Sequence, residues 1–210
     1  MAPVASLPAP ELAARTLEAL RGSRALLDGH FLLSSGRHAG RYVQCALLLQ
    51  NPQLAETVCA GLAASIRSAG GKSWDVVVGP AMGAVTFAYE MARALQVRGL
   101  FAERDADGHF TLRRGFAIQP GERVLVAEDV VTTGKSALEV VDLLRRLGAA
   151  EIGLVSIVNR SGRADPFGTL PYFRALDLEV PSWEAADCPL CREPGARPPV
   201  KPGSRPGLAG

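Results

Sequence analysis

The sequence lacks a hydrophobic run long enough to cross a membrane. None of its apolar stretches approaches the roughly 18 residues that a membrane-spanning helix needs. Its first residues, MAPVASLPAPE, contain no basic segment followed by an apolar one, so we expect no signal peptide. Its four cysteines, two of them isolated, do not form a disulfide framework. We therefore expect a cytoplasmic protein with no membrane partner.

A strong positive charge is also missing from most of the chain. The formal net charge is +2, but residues 188–210 hold four basic residues and one glutamate, which leaves residues 1–187 at −1. Such a body has no basic footprint for nucleic acid, so we expect no nucleic-acid partner. Individual donors can still bind a small polyanionic substrate.

Short apolar runs alternate with amphipathic segments along the chain. The pattern predicts a first helix that begins at Pro10 and further helices at 53–69, 84–95 and 135–147. It predicts strands at 75–78, 100–102, 123–131 and 152–158. Strands that are apolar on both faces and alternate with helices are typical of an α/β domain with a central parallel, Rossmann-like sheet. Two segments break the alternation. Residues 103–118 are polar and predict a loop or β-hairpin, and residues 188–210, rich in proline and glycine, predict an extended or disordered tail.

The stretch VLVAEDVVTTGKSA (124–137) carries the clearest chemistry. An apolar strand leads into Glu128 and Asp129, and a turn of hydroxyl and glycine residues precedes a helix. A helix N-terminus binds phosphate, whereas the two acids suit sugar hydroxyls or hydrated Mg²⁺, so the pattern indicates a phosphorylated ribose. A capped helix beside solvated acids would explain TTGKS alone, but the full string favours a site. A P-loop is excluded because position 129 is aspartate where that motif requires glycine.

Several segments together resemble the type I phosphoribosyltransferase family, and in particular its orotate-specific members. Residues 124–137 resemble the family's phosphoribosyl-pyrophosphate (PRPP) motif. The other similar segments, in the family's order, are GHFLLSSGRHAGRYVQ (29–44), VVVGPAMGAVTFAYEMARAL (76–95), FAERDADGHFTLRRGF (101–116), SIVNRSG (156–162) and CPLC (188–191). The resemblance implies a base-binding N-terminal hood (1–52), an α/β core (53–187) and a C-terminal tail (188–210).

The resemblance also implies a reaction and its residues. PRPP would transfer its phosphoribosyl group to orotate, with Mg²⁺ carried by PRPP and no metal ligands from the protein. PRPP would be bound by Glu128, Asp129, Val130, Val131, Thr132, Thr133, Gly134, Lys135 and Ser136. Thr132, Arg160 and Tyr42 would contact orotate, and Asp129, Arg104 and His109 would be catalytic. We expect a homodimer that shares loop 103–116 across its interface.

The chain departs from the family in its scarcity of lysine, since it has only Lys72, Lys135 and Lys201. Ser34, Gly83 and Asp107 stand where the family often has lysine, and Glu128-Asp129 replaces the commoner Asp-Asp pair. The loop would then depend on Arg104 and His109, with Arg113 or Arg114 as further candidates. His109 could equally be an ordinary hairpin residue.

Three questions stay open at the level of sequence. The acceptor could be a purine or another base, although SSGRH (34–38) and Arg160 favour orotate. A non-catalytic PRPP-sensing regulator is the alternative outside enzymes, and the missing lysines are its one support. Cys188 and Cys191 suggest zinc or redox chemistry, but a structural zinc site needs four ligands and no second pair lies nearby in sequence. We therefore expect no metal there, while the distant His30, His38 and His109 leave a long-range site open.

Overall fold

The computed structural model describes residues 10–33, 35–70 and 73–202, so Ser34 and residues 203–210 lie outside it. In chain order its helices and strands are α1 (Pro10–Gly22), β1 (Leu26–Leu32), β2 (His38–Val43), α2 (Ala46–Leu49), α3 (Pro52–Ser68), β3 (Val76–Pro80), α4 (Val85–Leu95), β4 (Arg98–Arg104), β5 (Phe110–Thr111), β6 (Arg123–Val131), α5 (Lys135–Arg146), β7 (Glu151–Asn159), β8 (Tyr172–Asp177) and β9 (Ser182–Trp183). No helix in these ranges is both long and apolar enough to span a membrane.

A six-stranded sheet in the order β5-β4-β3-β6-β7-β8 forms the centre of the molecule. All neighbouring strands in it run parallel except the β4–β5 pair. Successive strand residues point to opposite faces, so Val77 packs in the core that contains α3 and α4, whereas Val76 and Val78 pack in the core that contains α5. Burial on both faces explains the continuous apolar strands and confirms the predicted parallel α/β fold.

The polar segment 103–118 begins as a short β-hairpin, one of the two structures that its sequence predicted. Glu103 pairs with Thr111 and Arg104 with Phe110 across β4 and β5. The Asp105 carboxylate accepts hydrogen bonds from the backbone N–H groups of Asp107 and His109, at 3.0 and 2.9 Å, and so shapes the turn. The hairpin extends from the carboxyl end of β4, the end of the parallel sheet at which ligands bind.

A separate antiparallel sheet, β1-β2-β9, packs beside the core, where the resemblance implied a hood. The described part of the expected tail, residues 188–202, contacts the hood. The backbone of Val200 donates to the carbonyl of His30 and accepts from the N–H of Leu32, both at 2.8 Å. The C-terminal segment therefore packs on the hood. The segment boundaries at residues 52 and 187 remain a prediction.

Candidate active site

The carboxyl ends of β3, β6 and β7 meet at one edge of the central sheet. They carry Pro80, the acid pair of β6 and Asn159, and the backbone N–H of Arg160 donates to the carbonyl of Val131 at 2.9 Å. Ligands of open parallel sheets bind beyond this edge. The site predicted from residues 128–136 thus lies where the topology favours one.

Glu128 and Asp129 form a largely desolvated acid pair. Burial, with the neighbouring Asp129 charge second, raises the pKa of Glu128 to about 8. Burial also raises the pKa of Asp129, against the lowering effect of the backbone N–H groups of Val130 and Asp129 itself. The Glu128 Oε2 atom is buried without a hydrogen-bond partner among the described residues. Hydroxyl donors or a cation would stabilise this pair, because buried carboxylates require compensation.

The turn after β6 has the form of an anion site at a helix N-terminus. Thr132 and Thr133 are exposed, and the Thr133 hydroxyl accepts a hydrogen bond from the Lys135 N–H at 3.3 Å. Gly134 precedes the helix with φ of 73°. A Cβ at this position would lie 2.6 Å from the ring of Phe167, so both conformation and space require glycine. The close approach of Phe167 holds the turn at the start of α5.

The loop between β3 and α4 faces the acid pair from the neighbouring strand. A Cβ added at Gly83 would lie 3.7 Å from the Asp129 carboxylate. This position, where the family often has lysine, is therefore next to the acids, and glycine leaves it open.

Tyr42 and Arg160, both predicted to contact orotate, come together although 118 positions separate them in the sequence. Burial lowers the pKa of the Arg160 guanidinium, while the neighbouring Tyr42 raises it. Burial raises the pKa of Tyr42, and the charge of Arg160 acts against this rise. Asp129 also acts on Tyr42. Hood and core therefore meet at the acid pair.

The Arg160 guanidinium is half-buried and forms neither an ion pair nor a hydrogen bond within the described ranges. The loop that carries it is held from below by Asn159, whose side chain donates to Asp177 at 2.7 Å and to the Arg163 carbonyl at 2.9 Å. The fully buried Arg174 donates to the same Asp177 carboxylate at 2.7 Å. A guanidinium that is held by a rigid support and has no ion-pair partner among the described residues suits recognition of a carboxylate.

In the described part of the chain, neither of the two predicted catalytic residues of the hairpin forms a side-chain hydrogen bond or an ion pair with the acid pair. Arg104 donates to the Glu139 carboxylate of α5 at 2.7 Å, and its guanidinium lies 4.1 Å from the centre of the Phe110 ring. His109 is exposed, and within the part of the chain that the structure describes its side chain makes no hydrogen bond. Arg104 is therefore held against α5 by Glu139, whereas the side chain of His109 is exposed.

Sequence reasoning missed two supports of the site. Phe167 was not singled out, although its ring packs edge-to-face on Tyr172 with ring centres 5.0 Å apart and fixes Gly134. Cys45, buried at the end of the hood, has its Sγ 3.8 Å from the backbone oxygen of Asp129. A phenylalanine and an isolated cysteine carry no local signal of such roles, because both depend on contacts distant in sequence.

The fold and this edge of the sheet define a class of α/β protein that binds a phosphorylated sugar. A model of the family described as "Phosphoribosyl transferase domain" matches residues 47–173, more than half of the chain. The match includes the acid pair, the TTGKS turn and Arg160, but not Tyr42 or the C-terminal cysteines.

Curated relatives make the family assignment narrower. The orotate phosphoribosyltransferase of Heliobacterium modesticaldum is 50% identical over 191 residues, which cover 91% of this chain and 97% of that protein. The chain belongs to the orotate phosphoribosyltransferase family.

Solved structures agree with this assignment. The crystal structure of orotate phosphoribosyltransferase from Aeropyrum pernix has a TM-score of 0.63 at 26% identity and covers 77% of this chain and 92% of its own. The Mycobacterium tuberculosis enzyme in complex with PRPP has a TM-score of 0.57 at 25% identity, with 78% and 96% covered.

Proposed function

We propose that this protein is an enzyme that transfers the 5-phosphoribosyl group of PRPP to orotate. The products are orotidine 5′-monophosphate and pyrophosphate, a step of pyrimidine biosynthesis. The observation that carries this proposal is the half-buried Arg160, which forms no side-chain hydrogen bond or ion pair in the described ranges. It lies near enough to Tyr42 for their charges to interact, and Tyr42 interacts in the same way with Asp129 of the acid pair. One edge of the sheet therefore offers separate positions for a carboxylate-bearing base and a phosphorylated ribose.

PRPP would bind across the segment from Glu128 to Ser136. The backbone N–H groups and hydroxyls of Thr132, Thr133 and Ser136 would hold the 5′-phosphate at the start of α5. Glu128 and Asp129 would accept hydrogen bonds from the ribose hydroxyls, which would supply the partner that Glu128 Oε2 lacks in the described chain. Binding would then stabilise the charged form of both acids.

Orotate would bind between Tyr42, Thr132 and Arg160. The guanidinium presents paired N–H donors that match a carboxylate, and the Tyr42 ring would lie beside the pyrimidine. Orotate N1 would bond to C1′ as the C1′–O bond to pyrophosphate breaks, and the bonding electrons would leave with pyrophosphate. The proton that N1 carries in orotate would pass to pyrophosphate or to solvent. No nucleophilic side chain is needed, so the enzyme works by orientation and electrostatics.

The acid pair also fits Mg²⁺ carried by PRPP. The buried oxygen of Glu128 and the adjacent Asp129 are oxygen donors of the type that Mg²⁺ prefers alongside water and phosphate. When bound, the ion would neutralise part of the charge that develops on pyrophosphate. Arg104 and His109 would add further electrostatic stabilisation from the hairpin, and closure of the hairpin would exclude water.

We further propose a cytoplasmic homodimer that shares the hairpin segment, residues 103–116, between subunits. Cys45 and Cys59, each buried without a disulfide, support a reducing compartment. The exposed side chains of His109 and Arg113 on the hairpin support a role toward a second subunit, because neither is engaged within the described chain.

The test is an absorbance assay in which the purified protein is mixed with orotate, PRPP and Mg²⁺. We expect PRPP-dependent loss of orotate absorbance with equimolar release of pyrophosphate. Adenine, hypoxanthine and xanthine in place of orotate would serve as matched acceptors. Pyrophosphate release with a purine and not with orotate would overturn the choice of acceptor, and PRPP binding without turnover on any base would indicate a sensor.

A further inference from the structure

The fold brings two histidines and two cysteines together at the hood. None of the four belongs to the candidate active site or to β6, which carries the acid pair. His30 lies on β1 and His38 begins β2. Cys188 immediately precedes the short 3-10 turn Pro189–Cys191, and Cys191 is its last residue. One ligand atom from each residue lies within 4.8 Å of all the others. The missing second pair of ligands was the ground for expecting no metal at CPLC, and the structure supplies that pair from the hood.

The distances within the cluster match a tetrahedral zinc site. With Zn–S of about 2.3 Å and Zn–N of about 2.0–2.1 Å, a tetrahedron separates N from S by about 3.6 Å and N from N by about 3.3 Å. His30 Nε2 lies 3.5 Å from the sulfur of Cys188 and 3.6 Å from that of Cys191. His38 Nδ1 lies 3.3 Å from the sulfur of Cys191 and 3.0 Å from His30 Nε2. Four edges of the tetrahedron are thus within about 0.3 Å of the expected lengths.

The surroundings orient these groups as ligands. His30 Nδ1 lies 3.0 Å from the backbone oxygen of Arg197, so Nδ1 donates to that carbonyl and leaves the Nε2 lone pair directed at the cysteines. A hydrogen bond from the second ring nitrogen to a carbonyl is the usual support of a metal-binding histidine. Cys188 and His38 are buried, at 0% and 7% exposure, whereas Cys191 is exposed, so the protein shields one side of the centre from solvent.

We propose that His30 Nε2, His38 Nδ1, Cys188 Sγ and Cys191 Sγ bind one structural zinc ion per chain. Four protein ligands leave no open position for water or substrate, so the site is structural and not catalytic. The ion joins three segments: both strands of the hood hairpin and the C-terminal segment. His38 is also four residues before Tyr42 on β2, so the same ion fixes the strand that carries Tyr42 toward the core.

The first test is metal content. The full-length protein is reduced, loaded with zinc, passed through a desalting column and analysed by mass spectrometry of its metals. We expect about one zinc per chain in the wild type and in Cys59→Ala, which removes a buried thiol of α3 outside the cluster. The double variant Cys188→Ser/Cys191→Ser is expected to retain roughly a tenth of that or less. Equal zinc in all three proteins, or no zinc in the wild type, would overturn the site.

The second test uses the wild type alone, so it does not depend on a variant that folds. Cobalt(II) replaces zinc, and its visible spectrum reports the coordination. We expect the intense d–d bands of a tetrahedral ion and a thiolate-to-cobalt charge-transfer band, both abolished by adding zinc. Weak octahedral bands without charge transfer would contradict the proposal. So would a thiol count in denaturant, without reductant, that shows Cys188 and Cys191 joined as a disulfide in the native protein.

The structural role has its own measurement. Chelation of zinc is expected to raise amide hydrogen exchange in residues 26–43 and 182–202 and to leave β3 and β6 unchanged, because the ion contacts only the hood and the C-terminal segment. Unchanged amide exchange in these segments after chelation would show that the cluster does not hold them. Exchange in the Cys59→Ala protein should respond to chelation as in the wild type.

Discussion

At the scale of single residues, the acid pair sets the chemistry because the fold has already removed it from water. A carboxyl group in an apolar setting favours its neutral form, which is why the pKa values of Glu128 and Asp129 both lie above normal. The folded chain bears the desolvation cost of the two carboxylates before any ligand binds, and hydrogen bonds from hydroxyl donors to the pair offset it. A desolvated pair therefore binds a diol more strongly than exposed acids would.

Asp129→Asn should lower kcat on the order of 10²-fold, in line with losses measured when one electrostatic group is removed from an active site. The melting temperature should hardly change, because asparagine is nearly isosteric and avoids the cost of a buried charge. Steady-state kinetics and thermal melts check both statements. Asp142→Asn, at an exposed position on α5, is the control. Wild-type kinetics in the Asp129 variant would remove this residue from the site.

Glu128 should make folding stability depend on pH. Its folded-state pKa of about 8 lies above the ordinary 4.5, so between these values the folded chain holds a proton that the unfolded chain has lost. This contribution is complete below the ordinary value and is lost as the pH rises through about 8.

Glu128→Gln removes that titration and should gain stability relative to the wild type as the pH rises from 5 to 8. The expected change is at least about 1 kcal/mol, or about 2–4 °C in Tm for a chain of this size. Thermal melts at several pH values, with Glu18→Gln on the exposed face of α1 as the control, measure the difference. Parallel curves for the wild type and Glu128→Gln would contradict the assignment.

Arg160→Ala should raise the KM for orotate about tenfold or more and leave the KM for PRPP nearly unchanged. A charge-assisted hydrogen bond contributes about 1.5–3 kcal/mol, and only orotate would receive it. Kinetics with each substrate varied in turn separate the two constants, and Arg145→Ala at the exposed end of α5 controls for loss of charge. Equal increases in both constants would argue against contact with the base.

At the scale of elements, the junction of β6 and α5 depends on one glycine for two separate reasons. Gly134→Ala would place a Cβ in the left-handed region and against the Phe167 ring. Gly148→Ala, with φ of 85° and no atom within 4 Å of its Cβ, would suffer only the first effect. We expect Gly148→Ala to lower the free energy of unfolding by about 1 kcal/mol and Gly134→Ala to lower it clearly more.

Urea denaturation of both variants measures the difference, and binding of PRPP should weaken only in Gly134→Ala. Equal losses of stability would mean that Phe167 moves aside without cost. The comparison therefore separates backbone strain from collision at the anion-binding turn.

The same junction shows why part of the structure is predictable from sequence. β6 and α5 are continuous in the chain, and their apolar periodicity, acids and turn residues all lie within 124–147. β1 is different, because Asp28, Gly29 and His30 interrupt its apolar residues and the pairing with β2 shifts register between Asp28 and Phe31. Alternation, the usual signal of a strand, is therefore lost at such a bulge.

Contacts between distant segments are the part that the sequence could not specify. The approach of Tyr42 to Arg160 was expected only from the family resemblance. The meeting of His30 with Cys188, 158 positions apart, had no local signal at all. The first contact depends on the packing of the hood on the core and the second on the packing of the C-terminal segment on the hood, and periodicity and motifs encode neither.

At the scale of the whole molecule, the basic residues of the hairpin segment 103–116 can serve the active site of their own subunit or that of a second subunit. Arg104 is held by Glu139 of its own chain, while His109 and Arg113 are exposed. A shared site in a two-fold dimer would let the hairpin of one subunit complete the acid pair of the other. A dimer that contains two different inactive variants can then be active, if each variant lacks a different half of the site.

We expect Asp129→Asn and the double variant Arg104→Ala/His109→Ala to be nearly inactive alone. Unfolded and refolded together in equal amounts, they would form hetero-dimers with one intact site, giving about a quarter of wild-type activity. If the hairpin serves only its own subunit, every site in the mixture carries a defect and activity stays at the level of the separate variants. Mixing Asp129→Asn with Glu128→Gln, both in the same half, is the matched control and should restore nothing. Sedimentation of each mixture must show dimers, because monomers throughout would rule out a shared site whatever the activity.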